Sequence, residues 1–165
     1  EAQAADEFSR TEGGFSRFNF DVNHVSKLSK VTQFDIFAHG QLANRNLDSS
    51  EQFYLGGADA VRAYPQGEAG GDSGYQATAE LRYQTPVKGM SMTLFADVGE
   101  VLARKDGDTS DPHRRLAGWG IGAVYSLDRS LYARLDYARK IKGESYRSEA
   151  EDKNGRLWFR LYKLF

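Results

Sequence analysis

Residues 90–99 read Met-Ser-Met-Thr-Leu-Phe-Ala-Asp-Val-Gly, and apolar residues recur at every second position of this stretch. Leu94 and Val98 fall on one side of the alternation, whereas Thr93 and Asp97 fall on the other. Successive side chains of a β-strand point to opposite faces of a sheet. The period of two therefore predicts a strand with one apolar face and one face that is polar for most of its length.

The same alternation recurs along the rest of the chain. It is found in 17–23, 33–42, 75–85, 118–126, 131–141 and, less regularly, 157–165. Short links near 27–29, 86–89 and 127–130 alternate with long polar links across roughly 44–73, 104–114 and 142–155. Short turns at one end and long loops at the other are typical of an outer-membrane barrel, whose short turns are periplasmic. We therefore predict about seven antiparallel strands and no helix.

The polarity of the two faces bears on the choice between a barrel and a sandwich. A soluble sandwich buries its apolar face and exposes its polar face, so alternation alone fits both folds. Here the polar face carries large charged side chains, such as Glu80, Arg134 and Asp136, and the apolar face is rich in aromatic residues. A polar lumen explains the charges, and aromatic girdles at the lipid interface explain the aromatic residues. From periodicity alone, a transmembrane barrel and a soluble all-β domain both stay open.

The composition excludes several classes of function. The 165 residues include 22 Lys and Arg against 23 Asp and Glu, so there is no basic excess that would favour nucleic acid. The absence of cysteine excludes thiolate metal sites and cysteine nucleophiles. The three histidines, His24, His39 and His113, show no metal-ligand spacing. We therefore predict no metal, no other cofactor and no nucleic-acid partner.

We also predict that the chain is not an enzyme. Residues 71–74 read Gly-Asp-Ser-Gly, as around the nucleophile of trypsin-like proteases, but no histidine stands in a fitting context and Tyr75 replaces the usual next glycine. No Ser–His–acid set for a barrel lipase stands out, and the phosphate-binding Gly-Lys-Ser/Thr signature is absent. The acidic stretches 106–111 and 144–152 do not fit the calcium-binding EF-hand spacing, so we interpret them as solvated loops.

A longer segment carries a family resemblance. Residues 53–68 read Phe-Tyr-Leu-Gly-Gly-Ala-Asp-Ala-Val-Arg-Ala-Tyr-Pro-Gln-Gly-Glu and are followed by Gly-Asp-Ser-Gly-Tyr at 71–75 and Glu-Leu-Arg-Tyr at 80–83. This sequence pattern resembles that of the two-partner secretion transporters, which are the haemolysin-activator and filamentous-haemagglutinin exporters. The tetrad Val61, Arg62, Ala63 and Tyr64 resembles the Val-Arg-Gly-Tyr/Phe tip of a long loop that folds back into the barrel in that family.

A second motif lies on the strand quoted first. Phe95, Asp97 and Gly99 resemble the Phe-x-x-Asp-x-Gly-type motif of the inner barrel wall, although the spacing from Phe to Asp is one residue shorter here. By parity Asp97 faces the lumen, where Arg62 could form a charge-assisted bond with it. In a wet lumen we expect this bond to contribute roughly 1–3 kcal/mol, which would hold the loop and still let it go.

Two details of the loop sequence lead to further expectations. Gly56 and Gly57 are expected to act as a loop hinge, since they would let the loop turn and approach the wall closely. Ala63 stands where the wider superfamily usually has Gly. If the backbone there needed a positive φ, the alanine would be strained.

The resemblance covers about residues 14–165 and implies an architecture. It implies that residues 1–165 are the C-terminal part of an all-β, antiparallel transmembrane barrel in the bacterial outer membrane, about seven of 16 strands. The loop at 44–73 would fold into the lumen, and further strands and periplasmic domains would precede the chain. Seven strands leave two edges, and backbone groups in lipid must be paired, which also favours further strands.

The function that the resemblance implies is the secretion of one large partner exoprotein, such as an adhesin, a haemolysin or a contact-dependent toxin. The expected partners are this exoprotein, the outer-membrane lipid and, during insertion, the barrel-assembly machinery, for which the terminal aromatic Phe165 is a signal. Alternatives are a barrel-assembly factor of the same superfamily, a plain porin constricted by residues 44–73 and, least favoured, a soluble all-β binding module. The cargo, the upstream domains and the resting state of the pore stay open.

Overall fold

A computed structural model describes residues 14–103, 113–128, 130–141, 148 and 153–164. It contains nine strands: β1 Arg17–Lys27, β2 Thr32–Ala43, β3 Phe53–Tyr54, β4 Gly70–Gly71, β5 Ser73–Gln84, β6 Met90–Leu102, β7 His113–Ser126, β8 Leu131–Lys140 and β9 Gly155–Lys163. The acidic stretches interpreted as solvated loops lie outside the described residues, apart from Ser148, and so does Phe165.

Seven of these strands form one antiparallel sheet in the order β1-β2-β5-β6-β7-β8-β9. Each long strand pairs with the next long strand along the chain, as in an up-and-down barrel wall. The seven strands predicted from the alternation are thus confirmed. β3 and β4, a two-residue pair inside the long loop, were not predicted. In the part of the chain that the structure describes, no helix has the length and hydropathy needed to cross a membrane.

The links differ in length at the two ends of the sheet, as predicted. Residues 28–31 and 85–89 form short turns, a similarly short link joins β7 to β8, and residues 44–72 form the long loop between β2 and β5. The loop ends one residue earlier than predicted because β5 already begins at Ser73, which pairs with Leu102. In the turn before β8, the Asp128 carboxylate accepts the backbone N–H groups of Ser130 and Leu131.

One face of the sheet is apolar and exposed. Leu94 is 51% exposed and Ile121 is 50% exposed, although both lie in the central strands β6 and β7. The other exposed apolar side chains on this face include Leu81, Tyr83, Val98, Trp119, Tyr125, Leu135, Tyr137, Leu157, Phe159 and Leu161. A sandwich would bury such a face against a second sheet. The exposure is instead what a wall in contact with hydrocarbon requires.

The buried apolar core lies on the opposite face, between the sheet and the long loop. The loop contributes Phe53, Leu55, Val61, Ala63, Tyr64 and Ala69 to this cluster, and the strands contribute Phe95, Val101, Leu116 and Ala138. The face that is polar for most of its length therefore also carries apolar side chains where the loop covers it. This packing holds the loop tip against the inner wall.

Candidate functional site

The loop at 44–72 is a narrow hairpin whose two arms bond to each other. The Leu55 amide donates to the Ala69 carbonyl at 3.2 Å, and the Gly56 amide donates to the Glu68 carbonyl at 3.0 Å. At the tip, the Val61 amide turns back to donate to the Leu55 carbonyl at 2.8 Å. These bonds give the loop its own backbone framework, so it approaches the wall as one preformed unit.

Gly56 lies on the first arm, and Gly57 follows it at the start of the tip. A Cβ atom at Gly56 would overlap the Pro65 carbonyl oxygen, and one at Gly57 would overlap the side-chain amide of Gln66. Gly57 also has φ +137°, a conformation that side chains disfavour. The close approach expected at these glycines is therefore to the loop's own return arm and not to the wall. Their role as a hinge stays a prediction.

Arg62 meets Asp97 through three hydrogen bonds. Its Nε donates to Asp97 Oδ2 at 2.9 Å and its Nη2 donates to Asp97 Oδ1 at 2.8 Å, which is a bidentate pair. The backbone amide of Arg62 also donates to Oδ2 at 3.1 Å. From the neighbouring strand, the Thr78 hydroxyl donates to Oδ1 at 2.9 Å. Both carboxylate oxygens thus have fixed partners, and the planar fork of arginine suits this geometry better than lysine would.

Other wall residues surround the guanidinium group. Phe95 lies beneath it, with the Cζ atom 3.3 Å from the ring centroid. Nη1 donates to Glu80 Oε2 at 3.3 Å and lies 3.8 Å from Asp136 Oδ1. The indole Nε1 of Trp158 donates to the Arg62 carbonyl at 2.8 Å. The tip is therefore held by side chains from β5, β6, β8 and β9, four of the seven strands of the sheet.

The burial of this contact corrects one expectation. The side chains of Arg62 and Asp97 are only 5% and 1% exposed, so the contact does not lie in a wet lumen. The loop itself excludes the water, because Val61, Ala63 and Tyr64 pack beside the ion pair with no exposed surface. Removing one partner of a buried pair costs about 3–5 kcal/mol, more than the range expected for a solvated contact.

Ala63 is accommodated by a glycine of the wall. Ala69 is the non-glycine residue with positive φ in the described part of the chain, so Ala63 does not carry the strain considered from the sequence. Its methyl group points at Gly118 on β7, where an added Cβ would lie 2.6 Å from the Ala63 Cβ. A side chain at position 118 and one at position 63 would therefore compete for the same space.

The remaining motif residues also lie at this contact. A Cβ at Gly99 would come within 2.5 Å of Leu55 Cδ2, so the glycine leaves room for a loop side chain. Tyr64 is fully buried, and the ammonium group of Lys140 lies 5.4 Å from its ring centroid. The structure thus brings the tetrad 61–64 together with Phe95, Asp97 and Gly99. Their role as a lock stays a prediction.

Several residues at this contact were not predicted as site residues, although Glu80, Arg134 and Asp136 were assigned to the polar face. They are Glu80, Asp136, Arg134 and Arg160, which extend the ion network across the inner wall, and Trp158, which donates to the loop backbone. Arg134 joins Glu80 at 2.9 Å to Asp136 at 2.7 Å, and Arg160 donates to Asp136 at 3.1 Å. The signal was present in the parity of the strands, since all five fall on the charged face.

For the described residues, the absence of a metal or another cofactor stays a prediction. No group of three or more His, Asp or Glu side chains among them is arranged to hold a metal ion. The acidic residues of the wall are instead paired with arginines, and paired carboxylates hold a positively charged loop tip without needing a cation.

Comparison with known proteins assigns the family. The family model for the haemolysin secretion/activation protein ShlB/FhaC/HecB matches residues 1–125. The chain belongs to this family. Membership of ShlB/FhaC/HecB confirms the resemblance to two-partner secretion transporters, the antiparallel barrel fold and the location in the bacterial outer membrane. The sheet is therefore part of a barrel wall.

Relatives agree with this family. The heme/hemopexin transporter protein HuxB of Haemophilus influenzae is 33% identical over 98 residues, which cover 58% of this chain and 17% of HuxB. A second strain's HuxB is 34% identical over 88 residues, or 52% of this chain and 16% of that protein. The chain thus spans about one sixth of the length of these relatives.

A solved structure shares the fold. It is CdiB from Acinetobacter baumannii, which superposes with a TM-score of 0.66 at 20% identity. The match covers 90% of this chain and 26% of CdiB.

Proposed function

We propose that the protein translocates a large partner exoprotein across the outer membrane and that this chain supplies the part of the barrel that carries its lumen loop. The observation that carries the proposal is the burial of Arg62 against Asp97, on the face of the sheet opposite the exposed apolar face. A loop held inside the barrel narrows any passage through it. A specific tether to the wall gives that narrowing a defined resting state.

In this proposal the tetrad 61–64 is the loop lock and the motif of Phe95, Asp97 and Gly99 is its seat on the wall. Loop 44–72 lies in the lumen at rest, and the short turns of the sheet face the periplasm. The cargo enters from the turn side and leaves at the end where the loop begins. Since no nucleotide-binding signature occurs in the sequence, folding of the cargo outside the cell is the proposed driving force.

The proposed partner is an exoprotein of the adhesin, haemolysin or contact-dependent toxin class. The HuxB relatives are named as heme/hemopexin transporter proteins, which supports a transport role for this chain. The heme and hemopexin in that name refer to HuxB. Outer-membrane lipid would contact the apolar face, and the barrel-assembly machinery would insert the protein. Edge strands β1 and β9 would pair with further strands to close the barrel, because backbone groups in hydrocarbon need partners.

We also propose that the chain has no enzymatic activity. The Gly-Asp-Ser-Gly segment at 71–74 is supported as a structural element, since the Ser73 hydroxyl oxygen accepts the Ala43 amide at 2.9 Å. Asp72 is fully buried, and its carboxylate accepts the Leu47 amide at 3.0 Å and the Gln52 side-chain amide at 3.1 Å. Both polar side chains serve the base of the loop.

The experiment is co-expression of the full-length transporter with the exoprotein encoded beside it, in cells that lack both. Arrival of the exoprotein at the surface only when the transporter is present supports the proposal. Retention of the exoprotein in the periplasm despite an inserted barrel contradicts it. A loss of other outer-membrane barrels on deletion would favour a barrel-assembly factor, and solute conductance unaffected by Arg62→Ala would favour a porin.

A further inference from the structure

The loop carries a second buried ion pair beyond its tip. Glu68 is 1% exposed, and Arg114, at the end of β7 far from the short turns, is 8% exposed. Arg114 Nη2 donates to Glu68 Oε1 at 2.7 Å. The polarity is the reverse of that at the tip, because here the loop supplies the acid and the wall supplies the arginine. The two pairs use different strands of the wall, β7 for Arg114 and β6 for Asp97.

The Glu68 carboxylate also contacts the link between β8 and β9. The backbone amide and the hydroxyl group of Ser148 donate to Glu68 Oε2 at 3.0 and 2.6 Å. One carboxylate therefore joins the loop, the end of a wall strand and the link that follows β8. A charged group with donors on both oxygens is held more firmly than a single ion pair.

The backbone around Glu68 divides the loop into two parts. Glu68 pairs with Gly56 through the backbone, at the level where the two arms are bonded to each other. Beyond this level the tip begins and ends with glycines in positive φ, Gly57 at 137° and Gly67 at 77°. These positions turn the chain with no side-chain penalty and are suited to hinge motion. Arg62 lies midway between them.

We propose that Glu68 and Arg114 form a second anchor that fixes the base of the loop to the wall, so that only residues 57–67 move when Arg62 leaves Asp97. This inference rests on the proposed lumen loop and deepens it. The passage then opens by a short flap of the tip and not by withdrawal of the whole hairpin. Glu68 is a positioning residue, since it acts through the part of the loop that it holds.

Two buried wall residues can report on the two parts separately. Val101 lies on β6, where it pairs with Arg114 of β7, and it is fully buried beneath the base of the loop. Ala138 is also fully buried and lies on β8 between Asp136, beside Arg62, and Lys140, over the Tyr64 ring. A single cysteine, Val101→Cys or Ala138→Cys, is placed in the full-length transporter, in which any other cysteine is replaced by serine. The rate of maleimide labelling in outer-membrane vesicles then reports exposure at the base or at the tip.

The expected results are different for the two anchors. Glu68→Gln raises labelling at position 101 by about 100-fold, since losing one partner of a buried ion pair shifts a local opening equilibrium by at least this factor. Arg62→Ala raises labelling at position 138 and leaves position 101 protected. The matched control is Glu51→Gln in the same loop, where the acid pairs with Arg17 at the surface, and it changes neither rate.

A charge exchange separates an anchor from a general packing effect. Glu68→Arg combined with Arg114→Glu restores most of the protection of position 101 from maleimide labelling, whereas either substitution alone does not. The proposal is overturned if Glu68→Gln leaves position 101 protected, or if Arg62→Ala exposes both positions alike. Loss of the heat-modifiable gel band in Glu68→Gln would also overturn it, because that would make Glu68 a requirement for barrel folding. If Arg62→Ala leaves position 138 protected, the lock at the tip fails, and the result at position 101 still decides the second anchor.

Discussion

Arg62 and Asp97 are 35 residues apart in the chain and are joined by a bidentate ion pair and by a bond from the Arg62 backbone amide to the same carboxylate. The side-chain bonds fix the guanidinium plane, and the backbone bond fixes the main chain of the loop tip. Asp97 therefore contributes to both the position and the orientation of the tip. In the proposed function this contact holds the resting state of the transporter.

Trp158 should contribute to the same state through one hydrogen bond. Trp158→Phe removes the donor to the Arg62 carbonyl and keeps most of the ring. We expect the closed tip to lose about 1 kcal/mol, or roughly a fivefold shift toward the open form. The labelling rate of Ala138→Cys measures this shift. Trp119→Phe on the exposed apolar face is the control. Equal labelling rates in the two variants would argue against a role for Trp158.

Gly118 should tolerate no side chain while Ala63 is present. Gly118→Ala places a methyl group 2.6 Å from the Ala63 Cβ, and we expect the overlap to displace the tip at a cost of about 1–3 kcal/mol. Ala63→Gly in the Gly118→Ala background removes the overlap and should restore secretion. If the double variant secretes no better than Gly118→Ala alone, the two positions do not compete for space.

A charged side chain on the exposed apolar face of the sheet should destabilise the barrel. Leu94 is half exposed at the middle of β6, so Leu94→Arg is expected to cost about 2–4 kcal/mol on insertion into hydrocarbon. Asn23 is exposed on the opposite face of β1, and Asn23→Arg is the matched control with little expected effect. Denaturant unfolding of the full-length protein in liposomes measures both. Similar midpoints for the two variants would contradict the assignment of the faces.

The turn at Asp128 predicts an acid-sensitive contribution to stability. The amide and hydroxyl groups of Ser130 lower the pKa of the Asp128 carboxyl group below its ordinary value. A folded-state pKa below the unfolded value means that this contribution is present above the unfolded pKa and is lost as the pH falls through the folded pKa. Unfolding between about pH 3 and 5 should thus depend less on pH in Asp128→Asn than in the wild type. Identical pH profiles would refute this.

The strands and their faces could be predicted from the sequence because the period of two is a local property. Leu94 and Asp97 were assigned to opposite faces by parity alone, and the pairing register agrees. The meeting of Arg62 with Asp97 was expected from the family resemblance, since no local pattern reports a contact across 35 residues.

The rest of the site depends on the path of the loop. Glu68 and Arg114 are 46 residues apart and meet only because the return arm crosses the wall at the start of β7. The dry environment of Arg62 was missed for the same reason, because the apolar residues that exclude water come from the loop itself. Parity indicated that Glu80 and Asp136 face inward, but their distance from Arg62 follows from the curvature and register of the sheet.

The most direct test of the loop lock is secretion by full-length Arg62→Ala and Asp97→Ala transporters, measured beside their insertion into the outer membrane. We expect both variants to show the wild-type amount of heat-modifiable barrel and to release clearly less exoprotein to the cell surface. Full secretion by both variants, with normal insertion, would contradict the proposed role of the contact between Arg62 and Asp97.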